Sequence, residues 1–272
     1  MVYATALNDV TPSNTAKSTS VTVNVKRGAT VSSTLAAGKL TFMCYNLGAD
    51  PSVQMMSPTE QAAHTTPDDV YGDLYQWGRR ADGHQVRTSP VVHGTLSGAN
   101  LDPATGQVTG MNADRFVVSY TTPYDWRTPQ TDTLWNRGTE TAPVKTINDP
   151  CPAGWRMPTQ IEWSSIFIGG WTFGAPGDAI VNEWTWHDGS GGTATGFFIA
   201  PTSGMQPLLF LPAAGNRGIN GVVGNVDTFG TYSSSSINGE NGFSLFFRTI
   251  SVSAITPIVR AVGSSVRCIA EQ

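Results

Sequence analysis

Polar and apolar residues alternate most cleanly near the start of the chain, where Ser20-Val21-Thr22-Val23-Asn24-Val25-Lys26 puts three valines on one face. A period of two predicts a strand there. The Ser/Thr/Asn-rich run before it reads as a turn, and Gly28–Ser33 after it as a linker. From Lys39 a compact domain is expected to open with Leu40-Thr41-Phe42-Met43-Cys44-Tyr45-Asn46-Leu47-Gly48. The one well-signalled helix start is Pro158-Thr159-Gln160-Ile161-Glu162-Trp163. Thr159 can cap the helix and Glu162 can reach back to it, a capping box worth about 1 kcal/mol. Ile161, Trp163, Ile166 and Phe167 then supply apolar contacts, and Gly169-Gly170 ends the helix. Beyond Trp171 short strands broken by glycine run to Ser265-Val266-Arg267-Cys268-Ile269.

The last part of that pattern is irregular. Phe243–Cys268 reads FSLFFRTISVSAITPIVRAVGSSVRC, with no Lys, Glu or Asp. Leu245 and Phe247 alternate as a strand requires, while Phe246, Ile250, Ile255, Ile258 and Val259 interrupt the alternation. On a strand, Phe246 and Arg248 point opposite to Leu245 and Phe247.

Composition narrows the function classes. The 272 residues suit one large domain, or a medium domain with a small one, and 39% apolar with 10% aromatic residues fill a core. Charged residues make up only 13%, about half the usual share. A net charge of -4 gives no electrostatic reason to expect nucleic acid or an anionic membrane. No apolar run approaches the ~20 residues that span a bilayer, so no membrane insertion is expected. Met1-Val2-Tyr3 does not open a signal peptide; any export signal is expected outside this sequence, or absent. Cys44, Cys151 and Cys268 match no zinc-ligand spacing, and allow one disulfide with a thiol, or three thiols. His64, His84, His93 and His187 are scattered and read as exposed or hydrogen-bonded histidines. Asp68-Asp69 and Asp73 read as a solvated acidic turn, and no phosphate-binding glycine loop occurs. No cofactor is expected.

Five motifs stand in a fixed order: YGDLYQWGR (71–79), DPCPAGWRMPTQIEW (149–163), LPAAG (211–215), YSSSS (232–236) and SVRC (265–268). Together they resemble the paralogous domain family first noticed in Fibrobacter, over residues 38–270. That family is similar to the C-type lectin-like and formylglycine-generating-enzyme folds, through the WRxPTxxEW helix and the terminal VRC strand. The resemblance implies an α+β, loop-rich C-type lectin-like fold with short antiparallel strands and few helices, over residues 38–272. Residues 1–37 form a preceding strand and linker that resembles the closing strand of an immunoglobulin-like domain; a lone strand packed on the main domain is the alternative. Ser233 departs from the family, which usually carries Trp there.

Members of this family include the variable proteins of diversity-generating retroelements. Their last segment is copied with errors at adenines from an Asn-rich template. Replacing either of the first two adenines of AAC or AAT never encodes Lys, Gln, Glu, Met or Trp. Between Asn216 and Val262 the chain has no Lys, Gln, Met or Trp and a single Glu, Glu240, although eight Trp and seven Met occur elsewhere. A Gly/Ser-rich β region can show the same depletion by chance. On the resemblance, Leu211–Gly215, Leu245, Phe247, Arg260, Gly263 and Val266–Cys268 are scaffold. The ligand-binding candidates are Asn216, Gly218, Ile219, Asp227, Phe229, Thr231, Tyr232, Ser233, Phe246, Arg248, Ile255, Ile258 and Val259. The competing readings are that Phe246 and the isoleucines are core, and that Asn216 and Asp227 are turn residues.

The lectin-like relationship further implies a Cys151–Cys268 disulfide; two buried thiols remain the alternative. An oxidase of the formylglycine-generating type needs a second reactive cysteine beside Cys268, and the segment has none. Leu134-Trp135-Asn136-Arg137 fails the acidic position of a calcium-dependent sugar site. The expected function is therefore a surface-displayed binding module, non-enzymatic, for a protein or glycan ligand outside the cell or on a virion. The alternative is an undiversified adhesin or structural part of a pilus or phage-tail fibre.

Overall fold

The computed structural model describes residues 28–167, 173–174, 181–201 and 204–271. The expected strand Ser20–Lys26, with its immunoglobulin-like reading, and the Gly169-Gly170 stop lie outside these residues. The architecture is mixed: short antiparallel strands in several small sheets, with few and short helices. One sheet has the order Gly28–Ser32, Lys39–Met43, Ile269–Ala270, Trp155–Arg156, all antiparallel. It gathers the start of the described chain, its end and the central motif loop. Cys151 and Cys268 are joined beside it by a disulfide, with Cα atoms 5.8 Å apart.

That sheet corrects the linker expectation. Gly28–Ser32 is a strand paired in register from Gly28↔Met43 to Ser32↔Lys39, and Val31 is buried. The expected domain boundary at 37/38 therefore falls in the turn of a hairpin. The glycine at the start of this strand answers to packing, since a Cβ on Gly28 would lie 2.8 Å from the Trp155 ring and from Thr41.

The helix Gln160–Ser165 starts at its capping box: Thr159 N donates to Glu162 Oε2 at 2.8 Å, and Glu162 N to Thr159 Oγ1 at 3.4 Å. The buried Arg156 grips the same carboxylate at 2.5 and 2.8 Å. Trp163, Ile166 and Phe167 are fully buried, with Trp163 stacked on Phe42 at 4.9 Å. Two further helices, Pro58–Ala62 and Pro67–Tyr71, had their own signals in the sequence. Ser57-Pro58-Thr59-Glu60 forms a second capping box, and Pro67 occupies the first turn of its helix.

Three more antiparallel sheets complete the core, with a parallel pair, Val91–His93 on Phe116–Val118. Leu209–Pro212, Gly196–Ala200 and Glu183–His187 form an aromatic-rich layer around Trp184, Phe197 and Phe210. Val223–Gly224, Asn216–Arg217, Gly263–Ser264 and Tyr75–Gln76 form a second. The longest sheet runs Phe229–Asn238, Asn241–Arg248, Ser251–Ile258 and Phe173–Gly174, and it carries most of the candidate site.

Candidate functional site

The strand Asn241–Arg248 is built in two interleaved sets. Leu245 and Phe247 are fully buried; Phe247 stacks on Tyr232 at 5.7 Å and meets Phe197 edge-on at 5.4 Å. Opposite Phe247 sits Gly230, where a Cβ would come within 2.2 Å of the ring. Only glycine admits that aromatic side chain. Register shifts between Ser244 and Phe246, and between Ser233 and Ile237 on the preceding strand, account for the broken alternation. The first puts one extra residue on Ser251–Ile258 and the second puts two on Phe229–Asn238, and each re-aims the side chains that follow.

Phe246 is half-buried and Arg248 exposed, and the register places Phe229 directly across from Arg248. The Phe229 and Phe246 rings lie 5.1 Å apart at 49°. Arg248 Nε donates to Ser251 Oγ at 3.2 Å. These three candidates share one face. Ile258 pairs with Gly242 and Ser251 with Arg248, so Ile258 sits at the opposite end of the hairpin from Arg248. Ile255 is exposed, while Ile258 and Val259 are half-buried. The strand candidates thus divide into two patches rather than one site.

Thr231, Tyr232 and Ser233 leave the set of contact residues, because all three are buried. The chain around Ser265 pairs along the outer edge of their strand: Ser265 N donates to Thr231 O at 2.9 Å and Ser233 N to Ser265 O at 3.0 Å. Tyr232 Oη donates to Pro212 O at 2.9 Å and accepts from Asn46 Nδ2 at 3.1 Å. Burial pushes its pKa up to about 12. Ser233 O accepts from Trp163 Nε1 at 3.2 Å, tying the strand to the capped helix.

Asn216, Gly218 and Ile219 are half-buried in the hairpin running to Gly224, whose turn at Gly221 packs against Val91 and Val118. Arg217 pins this hairpin, with Nη1 on Ser89 Oγ at 2.6 Å, Nε on Gly221 O at 2.8 Å, and its guanidinium 4.3 Å from the centre of the Phe116 ring. Asp227 is a turn residue with a left-handed backbone (φ 61°). Its Oδ1 accepts from the Tyr71 hydroxyl and, at 3.1 Å, from the Thr195 hydroxyl. The carboxylate therefore anchors the segment to the frame.

Within residues 216–262, two exposed large apolar residues were absent from the sequence candidates: Val222 and Ile250, 61% and 68% exposed. Ile250 sits in the tight turn between two strands, where no core can receive it, and that placement was its signal.

Other chemistry-bearing groups are occupied structurally. His84 is fully buried, with Nδ1 on Asp82 Oδ1 at 2.5 Å and Nε2 accepting from Gln76 N at 3.1 Å. Burial draws its pKa down to about 4, so the ring is neutral. A cleft of about 430 Å³ lies between the Leu35–Ala37 turn and Glu140, Lys145, Arg156, Glu162 and Glu271. Its cations are spoken for: Arg156 by Glu162, and Lys145 Nζ by the carbonyls of Cys151, Pro152 and Trp155. Among the described residues no group of three or more His, Cys, Asp or Glu side chains is placed to hold a metal ion. No helix among them is long and apolar enough to cross a membrane. No family model, curated protein or solved structure matches the chain.

Proposed function

We propose that this chain is a binding module of C-type lectin-like fold whose segment from about 216 to 262 is diversified by a retroelement. The observation that carries the reading is a coincidence of two patterns. The segment lacks Lys, Gln, Met and Trp, and its longest strands interleave a buried frame of Leu245, Phe247 and Val252 with outward Phe246 and Arg248. A mutator that substitutes outward positions and spares inward ones leaves such a record, because inward changes unfold the domain. The lectin-like reading is supported by the pairing of Lys39–Met43 with the last strand, and by the disulfide from the loop before the capped helix to that strand.

Recognition proceeds by side-chain contact on a rigid sheet, with aromatic, aliphatic and arginine groups excluding water against a partner. The module acts without a cofactor and without catalysis, displayed on a cell or virion surface. The deciding experiment is sequencing of the neighbouring DNA. A near-copy of the segment's coding sequence, differing only at adenines and lying beside a reverse-transcriptase gene, is expected. A neighbourhood without such a repeat removes diversification and leaves an undiversified adhesin or fibre component.

A further inference from the structure

We propose that the partner bound at the Phe229–Phe246–Arg248 face is a protein segment that presents a carboxylate beside an apolar side chain. This rests on the binding-surface reading above and names the chemistry of the ligand. Three arginines occur between Asn216 and Val262, and they have different fates. Arg217 is buried and committed to Ser89 and Gly221. Arg260 is also buried, with Nη2 on Asp132 Oδ1 at 2.6 Å and its guanidinium 4.6 Å from the centre of the Trp77 ring. Arg248 alone is exposed, and its single hydrogen bond uses Nε. Its two terminal NH2 groups have no partner among the described residues. They present the two-pronged edge that fits a carboxylate.

Nothing in the surrounding segment neutralises that charge. Asp227 is committed to Tyr71 and Thr195, and Glu240 lies in the turn at the other end of the strand that carries Arg248. Beside the cation, the Phe229 and Phe246 rings meet at 49°, which forms a notch rather than a level platform. A notch receives an aliphatic or aromatic side chain, whereas a sugar ring stacks best on a level aromatic face. The first strand of this sheet already bonds along its other side to Ser265, so contact is through side chains and not by strand addition there.

The test uses the full chain as bait for a displayed library of random dodecapeptides, followed by titration with the purified winners. Winners are expected to carry Asp or Glu next to Leu, Phe, Tyr or Trp. Arg248→Gln is expected to weaken their binding about tenfold. Replacing the peptide's acid by its amide weakens binding by a similar factor, and the two changes together cost no more than either alone. Equal thermal melting of the variants shows that the fold is kept. The proposal is overturned if winners lack an acid, if no dodecapeptide binds, or if a glycan array yields the only ligands. Should Phe229→Ser and Phe246→Ser abolish binding while Arg248→Gln leaves it intact, the face stands and the acidic partner falls. Binding indifferent to all three variants overturns the surface reading as well.

Discussion

Arg267, wholly buried, donates through Nε and Nη2 to the side-chain oxygen of Asn46, at 3.0 and 2.7 Å. Nη1 and Nη2 also reach the carbonyls of Met43 and Phe210, at 3.1 and 2.8 Å. The cation is thus held by an amide and by backbone, with no carboxylate hydrogen-bonded to it among the described residues. Asn46 in turn donates to Tyr71 O and Tyr232 Oη, so one amide joins the end of the chain to two motif tyrosines. Removing it strands a buried charge. Asn46→Ala is expected to lower unfolding free energy by roughly 3–5 kcal/mol. The double variant Asn46→Leu with Arg267→Met is expected to lose less than the two single changes summed. Denaturant unfolding of the native protein, Asn46→Ala, Asn46→Leu, Arg267→Met and the double variant measures both.

The interleaved strand makes opposite demands on adjacent positions. Leu245→Ala empties a fully buried site and is expected to cost about 2–5 kcal/mol. Phe246→Ala removes a half-buried ring and Arg248→Ala an exposed side chain, with an expected cost of about 1 kcal/mol or less each. Chemical denaturation separates these outcomes. Comparable losses at 245 and 246 would mean that Phe246 is ordinary core.

The Cys151–Cys268 bridge closes a separation of 117 residues, which by chain entropy stabilises the fold by about 4–5 kcal/mol. A Cys151→Ala, Cys268→Ala variant is expected to unfold at lower denaturant by that margin. Reductant should lower the midpoint of the native protein and leave the variant unmoved.

Half-buried Asp73 and fully buried His84 pull the pH dependence in opposite directions. Burial raises the Asp73 carboxyl to about 6, above its ordinary value of 3.8, so the native state holds a proton that the unfolded chain releases. Its contribution to stability is present below about pH 4 and is lost as pH rises to about 6. His84, lowered from 6.5 to about 4, acts the other way: its contribution is present above about 6.5 and is lost as pH falls towards 4. A melting profile of the native protein sums both. Asp73→Asn removes the first alone, so its melting temperature is expected to climb more steeply with pH between 4 and 6 than that of the native chain. Parallel profiles would show that Asp73 is not protonated in the fold.

Local chemistry was legible where it is decided within a few residues. Thr159 and Glu162 name each other by spacing, and the capped helix starts where they place it. Ser57 and Glu60 carried the same code, although the apolar run after them is too short to announce a helix. Gly28–Ser32, Gly-Ala-Thr-Val-Ser, was too short and too small in its side chains to announce a strand. Its strand character comes from Lys39–Met43 alongside it, and its glycine from the Trp155 ring, about 127 positions further on. The buried arginines were equally hidden. A chain with 13% charged residues suggests charges spent on solvent, yet Arg79, Arg260 and Arg267 are each within 1% of full burial.

What the sequence determined by itself was a set of periods, caps and residue-type gaps: the helix at Thr159, a segment from 216 to 262 without Lys, Gln, Met or Trp, and alternation with interruptions between Phe243 and Cys268. Only the tertiary structure decided which interruptions face outward. Phe246 and Arg248 stand on the open part of their face beside Phe229, whereas Thr231 and Ser233, on that same face by register, are buried where the chain at Ser265 pairs with the edge of their strand. The physical reason is that a strand's period assigns a residue to one of two faces, but not which stretch of that face is covered. That depends on the register shifts opposite Leu245 and beyond Ser233, and on a segment about thirty residues away at Ser265.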